Sequence, residues 1–321
     1  MFASIYDRIY DKVIYKFSLI FTAIYFVIYH GNLFEYKVYF YILIAFATSL
    51  GIAGIGYMLN DYIDLKDDIK NNKKNIFINK SKVEISILVF IFLTFAINPW
   101  FLFPVTTTTI VLIALELILL FIYAFPPFRF KENAILGILC DSLYAQVIPC
   151  ILAMYTFYKI GEAFTYKIEL IVVYTLWLLM LGIRNILLHQ IEDYKNDVNT
   201  QTNTFATKYG LSFTKKTIQY IIAFEIIYFF LILYFLPEFG NIILVIYAIY
   251  LFALYSLHRK INFYFINERV LNVFYEIHFP FILLILYTIQ QPKFIYLLLC
   301  NIIILLPIYW RFAKGFLVKY F

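Results

Sequence analysis

Charge is what this chain has least of. Lys, Arg, Asp and Glu together make up 14% of its 321 residues, against about 25% in an ordinary soluble domain. With 64% apolar and 21% aromatic residues, that scarcity excludes a soluble globule. The mean hydropathy of +0.82 also excludes disordered, collagenous and nucleic-acid-coating proteins, none of which carries so much apolar surface. Cysteine is nearly absent. Cys140, Cys150 and Cys300 lie in apolar runs without CxxC spacing, so neither a disulfide framework nor a zinc site is indicated and all three read as packing residues. No small-residue cleavage site follows the first apolar run, and the first segment is expected to stay in the membrane. Short repeats and long polar stretches are also lacking, which leaves one membrane domain over residues 1–321.

What is there is a succession of apolar segments. A bilayer core about 30 Å thick needs roughly 20 apolar residues per helix, and ten segments meet that ruler: Lys12–His30, Val38–Asn60, Val83–Phe103, Thr107–Phe125, Ala134–Tyr158, Ile168–Gln190, Phe213–Leu236, Gly240–Leu257, Val270–Thr288 and Phe294–Trp310. Glu276, His278 and Pro280 interrupt the ninth, so the expected fold class is an all-α polytopic bundle of nine to ten transmembrane helices. With ten spans, 21 of the 26 Lys and Arg fall on the side of the N-terminus. Basic residues concentrate on the cytoplasmic side, which predicts cytoplasmic termini and, for a bacterial source, residence in the cell inner membrane.

Seven of the nine aspartates are Asp61, Asp64, Asp67, Asp68, Asp141, Asp193 and Asp197, and six of these form two clusters at predicted helix ends on that same side. In the first, Asn60-Asp61-Tyr62-Ile63-Asp64 runs on to Asp67-Asp68. A continuing helix places Asp61, Asp64 and Asp68 on one face. Three such carboxylates repel unless a cation neutralises them, and hard oxygen ligands suit Mg²⁺ shared with a substrate's phosphates. The second cluster, Glu192-Asp193-Tyr194-Lys195-Asn196-Asp197, ends the sixth span, with Asp193 and Asp197 one turn apart. An acidic helix end is ordinarily a solvated boundary; two of matched spacing point to paired Mg²⁺ sites clamping a diphosphate.

The pattern resembles the UbiA superfamily of intramembrane prenyltransferases. Its NDxxDxxxD motif and following basic residue are matched by Asn60, Asp61, Asp64, Asp68 and Lys73, and its DxxxD motif by Asp193 and Asp197 with Thr204 and Gly210 downstream. Tyr123, Pro126, Arg129 and Lys131 resemble the family's tyrosine-proline-basic segment. Departures are Gln201 where the family has Gly, Asn203 where a basic residue is common, and Asn75-Ile76-Phe77 in place of Arg-Pro. The resemblance implies helices around a central cavity, the five motif aspartates binding Mg²⁺, and an isoprenoid diphosphate as donor.

The chemistry implied is ionisation of an allylic diphosphate. Lys73, Arg129, Lys131 and Lys195 would meet the leaving group's charge, and Tyr62, Tyr123 and Tyr194 are the aromatic rings nearest the motifs for a carbocation. Asn185, His189 and Gln190 precede the second motif by one and two turns. His189 is a candidate for orienting an acceptor or taking its proton, and Asp141 for lining the cavity; a hydrogen-bonded structural role is the alternative for each. Glu116, Glu225, Glu276 and His278 read mostly as structural. The leading expectation is prenyl transfer to a small aromatic or lipid acceptor at the lipid bilayer, with no nucleic-acid partner. A terpene cyclase, a polyprenyl-phosphate phosphoribosyltransferase and, from another class, a cation transporter are the competing readings; transporters place their carboxylates near the midplane on broken helices.

Overall fold

A computed structural model describes residues 11–33, 35–70, 75–78, 80–161, 168–236, 238–258 and 268–320, and no strand occurs among them. The principal helices are α1 (Asp11–Gly31), α2 (Tyr36–Ile63), the short α3 (Leu65–Lys70), α4 (Lys82–Ile97) and α5 (Thr107–Ala124). They continue with α6 (Leu136–Gly161), α7 (Ile168–Asn199), the short α8 (Phe205–Tyr209), α9 (Leu211–Tyr234) and α10 (Gly240–His258). The series closes with α11 (Leu271–Gln290) and α12 (Ile295–Tyr320). All ten predicted segments fall on helices. Seven helices are long and apolar enough to cross a membrane, and the other three segments coincide with shorter apolar helices. Residues 1–10 lie outside the described residues, as does Lys73.

Local chemistry sets the helix ends. Ser81 accepts from the Glu84 N–H while the Glu84 side chain accepts from the Ser81 N–H, a reciprocal cap on α4. Thr106 and Thr109 do the same for α5. Inside the bundle α1 is buried from Phe17 to Ile28 on every face, as expected of a helix that is apolar all round. Lipid-facing apolar side chains such as Phe90, Ile110 and Ile249 remain exposed on the outer helices. Helices α2 and α4 touch backbone to backbone at Gly51, where an added Cβ would lie 2.3 Å from the Ala96 nitrogen; small residues permit such approaches in membranes.

The predicted interruption at Glu276, His278 and Pro280 does not break its helix. Phe274–His278 forms a π turn and the helix resumes through Pro280. A second π turn, Leu143–Val147, sits two residues ahead of Pro149 in α6. Proline has no N–H for the carbonyl four residues back and its ring crowds that carbonyl, and a widened turn ahead of each proline lets the helix pass. Deeper in the bundle Arg184 and Glu225, both fully buried, are paired twice, Nε to Oε2 at 2.7 Å and Nη2 to Oε1 at 2.9 Å. The structural role expected of Glu225 is this pairing.

Candidate active site

A cavity of about 500 Å³ opens between α1, α2, α5, α6, α7 and α11. Along α2 it is lined by Ala45, Ser49, Ile52, Gly56 and Asn60, a one-face helical stripe that covers roughly 22 Å at 1.5 Å rise per residue. Of the residues singled out from sequence, Asn60, Tyr123, Asp141, Asn185 and His189 line it, and so do Glu116 and Glu276, which read from sequence as mostly structural. Asp141 accepts a hydrogen bond from the Tyr144 hydroxyl at 2.9 Å, and the rings of Tyr123 and Tyr144 lie 5.3 Å apart. Asn185 accepts from Asn272, whose own carbonyl accepts from Arg184 at 2.6 Å.

The first aspartate motif lies just beyond Asn60. Helix α2 ends at Ile63, yet the Asp64 N–H still donates to the Asn60 carbonyl and the Asp68 N–H to the Asp64 carbonyl, so the helical rise continues into α3. Asp61 and Asp68 are buried. The Ile76 N–H donates to Asp61 at 2.8 Å, and Asn75 donates to the Asp61 carbonyl at 2.6 Å and to the Asp68 carboxylate at 2.8 Å. Asp64 instead meets cations: Lys131 is ion-paired to it, and the Arg129 Nη2 lies 3.5 Å away. Arg129 also pairs with Glu132 at 2.5 Å.

The second motif occupies the last turns of α7. Asp193 lies 3.8 Å from His189 Nε2, and Asp197 accepts from Thr204 at 3.3 Å. Tyr194 is half-buried and Lys195 exposed, neither of them on the cavity wall. Asn60, Tyr123 and His189 all line the cavity, Lys131 and Arg129 meet Asp64, and His189 lies beside Asp193, so the two motifs and the tyrosine-proline-basic segment share one end of the bundle. The five aspartates do not converge on one point: among the described residues no group of three His, Cys, Asp or Glu is close enough to hold a metal ion. Each of the five carboxylates instead has a partner of its own.

Sequence reasoning missed Asn75, Tyr144, Gln146 and Asn272. Asn75 and Asn272 act across gaps of 14 and 87 residues, which periodicity does not report. Gln146 reaches the cavity from a π turn. Only Tyr144 had an available signal, being one turn from Asp141 on the same face.

The UbiA prenyltransferase family matches residues 18–270. A search of curated proteins finds no match. Among solved structures, a UbiA homologue from Archaeoglobus fulgidus bound to DMAPP and Mg²⁺ superposes with a TM-score of 0.56 at 14% identity, covering 91% of this chain and 98% of its own. The same homologue bound to GPP and Mg²⁺ gives 0.53 at 15% identity, with 87% and 98% covered. At such identity the likeness speaks to the fold.

Proposed function

Because the chain belongs to the UbiA prenyltransferase family, we propose that it is a Mg²⁺-dependent intramembrane enzyme that moves a prenyl group from an isoprenoid diphosphate to an aromatic, quinone-precursor-like or lipid acceptor. The observation that supports this reading is the charge arrangement just beyond Asn60, at the end of the cavity that the reading takes as its mouth. Lys131 and Arg129, from the segment after α5, meet Asp64, from the end of α2, beside a cavity whose walls are otherwise mostly apolar. A diphosphate needs that cationic surface, and a hydrocarbon chain needs that interior.

The chemistry of the donors, hard carboxylate and carboxamide oxygens, suits Mg²⁺. The Oδ1 of Asn60 is buried without a hydrogen-bond partner on a residue that lines the cavity, a hard oxygen adjacent in sequence to Asp61 and one turn from Asp64. Asn60, Asp61, Asp64, Asp68, Asp193 and Asp197 would hold Mg²⁺, which when bound neutralises charge on a departing diphosphate. Lys131 and Arg129 would then turn from Asp64 toward the phosphate oxygens, Arg129 well suited to bidentate contact. The rings of Tyr123 and Tyr144 present π-faces to a developing allylic cation. The apolar walls keep water from it. Asp141, held by Tyr144, and His189, beside Asp193, are the groups in place to receive an acceptor's proton. The cytoplasmic termini expected from the basic residues belong to the same reading, since they put the mouth on the side of soluble diphosphates.

The test is diphosphate release from geranyl and farnesyl diphosphates by purified protein, with and without Mg²⁺, products being read by mass spectrometry. Mg²⁺-dependent release that is lost in Asp61→Ala and Asp193→Ala, both still folded and membrane-inserted, is expected. Full release by each variant would sink the proposal. A cyclised product without an added acceptor would redirect it to a terpene cyclase.

A further inference from the structure

Two polar side chains stand in the hydrocarbon part of the cavity with nothing to bind. Glu116 is 5% exposed and Gln146 4%, and both line the cavity. Among the described residues neither has a hydrogen-bond or salt-bridge partner. They belong to neighbouring elements: helix α5, which carries Glu116, packs against the Leu143–Val147 turn, which carries Gln146. Glu116 lies seven residues before Tyr123 on α5, about 10 Å deeper by helical rise, and Gln146 is about 7 Å of rise from Asp141.

Buried polar groups are nearly always satisfied, and a carboxyl and a carboxamide left unpaired in an apolar cavity point to a ligand that satisfies them. Beyond its diphosphate an isoprenoid donor is hydrocarbon and offers neither a donor nor an acceptor atom. A hydroxyl answers both side chains with one atom, giving its proton to the carboxyl of Glu116 and accepting from the amide of Gln146. We propose that Glu116 and Gln146 form a hydrogen-bonding subsite at mid-depth in the cavity that recognises a hydroxyl of the prenyl acceptor. The interval from Asp141 to Gln146 suits one substituted aromatic ring or one glycerol unit, so the same chemistry could come from a phenolic or a lipid acceptor. This inference rests on the transferase reading above.

The experiment uses full-length protein in nanodiscs with Mg²⁺ and geranyl diphosphate, binding being followed by the fluorescence of Trp100, which lines the cavity. One arm compares 1-naphthol with 1-methoxynaphthalene, the other a monoalkyl glycerol ether with its O-methylated form. In at least one arm the hydroxyl probe is expected to bind about tenfold more tightly than its ether, and that arm names the source. The ratio should fall to about one in E116L and Q146L, with the near-isosteric E116Q and Q146M guarding against a folding defect, while geranyl diphosphate still binds. Equal binding of hydroxyl and ether to the native protein in both arms, or an unchanged ratio in all four variants, overturns the inference and leaves the transferase reading standing. So does an E116L protein that keeps the ratio and gains affinity for farnesyl diphosphate, since Glu116 would then gauge the donor's tail. Failure of native protein to bind geranyl diphosphate at all would instead bring down the transferase reading, and this inference with it.

Discussion

Lys131 is ion-paired to Asp64 across 67 residues of sequence, and the pair ties the loop after α5 to the end of α2. A cation held by a carboxylate is pre-positioned for a phosphate but must exchange partners to meet it. Lys131→Met is expected to raise the KM for geranyl diphosphate about tenfold to a hundredfold, the range for losing a charge-assisted contact. Lys131→Arg should recover part of it. Steady-state diphosphate release checks both; an unchanged KM in Lys131→Met would remove the residue from donor binding.

Asn75 holds Asp61 and Asp68 from one side chain. Its removal takes a donor from the Asp68 carboxylate and unpins the Asp61 backbone carbonyl, so Asn75→Ala should increase the Mg²⁺ concentration for half-maximal release by about tenfold, in line with one to three kcal/mol for a lost buried hydrogen-bonding group. A Mg²⁺ titration of activity at saturating donor reads this directly. A merely structural Asn75 would lower thermal stability and leave the Mg²⁺ midpoint where it was.

The Arg184–Glu225 pair is fully buried. Removing one partner leaves an uncompensated charge, so Arg184→Leu should destabilise the protein by about 3–5 kcal/mol, whereas Arg184→Leu with Glu225→Leu should recover most of that loss. Unfolding in mixed micelles distinguishes the two. A double variant no more stable than the single one would show that Asn272, also bonded to Arg184, carries the network.

Gln201 adopts a left-handed backbone, φ 58°, just past the end of α7, where the Thr202 N–H closes back on the Asp197 carbonyl. Relatives are expected to carry Gly here, and the conformation shows why: only glycine takes it without a Cβ penalty. Gln201→Gly should therefore stabilise the folded protein by about 0.5–1 kcal/mol, seen as a higher midpoint in thermal denaturation. A lower midpoint would mean that the Gln201 side chain contributes more than its backbone costs.

What could be read from the sequence is what local spacing encodes. The ten apolar segments, the two aspartate motifs and the row from Tyr123 to Lys131 are patterns within a few turns of chain, and each lies on the helix or turn expected of it. The partners of those residues were not legible. Nothing near Asp64 names Lys131, and nothing near Asp61 names Asn75 or Ile76. Asn75 and Ile76 stand where the family's Arg-Pro would be, so a departure from the motif proves to be what anchors it. Arg184 is ionisable within a span, which by spacing alone marks a functional candidate; the carboxylate that occupies it comes from another helix 41 residues on.

Each π turn adds about one residue to a turn of helix, and one residue is about 100° of rotation. The stripe that faces inward before Leu143 is therefore not the stripe that faces inward after Val147, and the same holds on either side of Phe274–His278. A chain that loses a single residue from either turn would keep its helix and its length almost unchanged, yet swing every later side chain a quarter of the way round. Gln146 and Glu276 lie within these turns and on the cavity wall, which makes the two turns the places where a one-codon deletion would turn a lipid-facing wall toward the ligand.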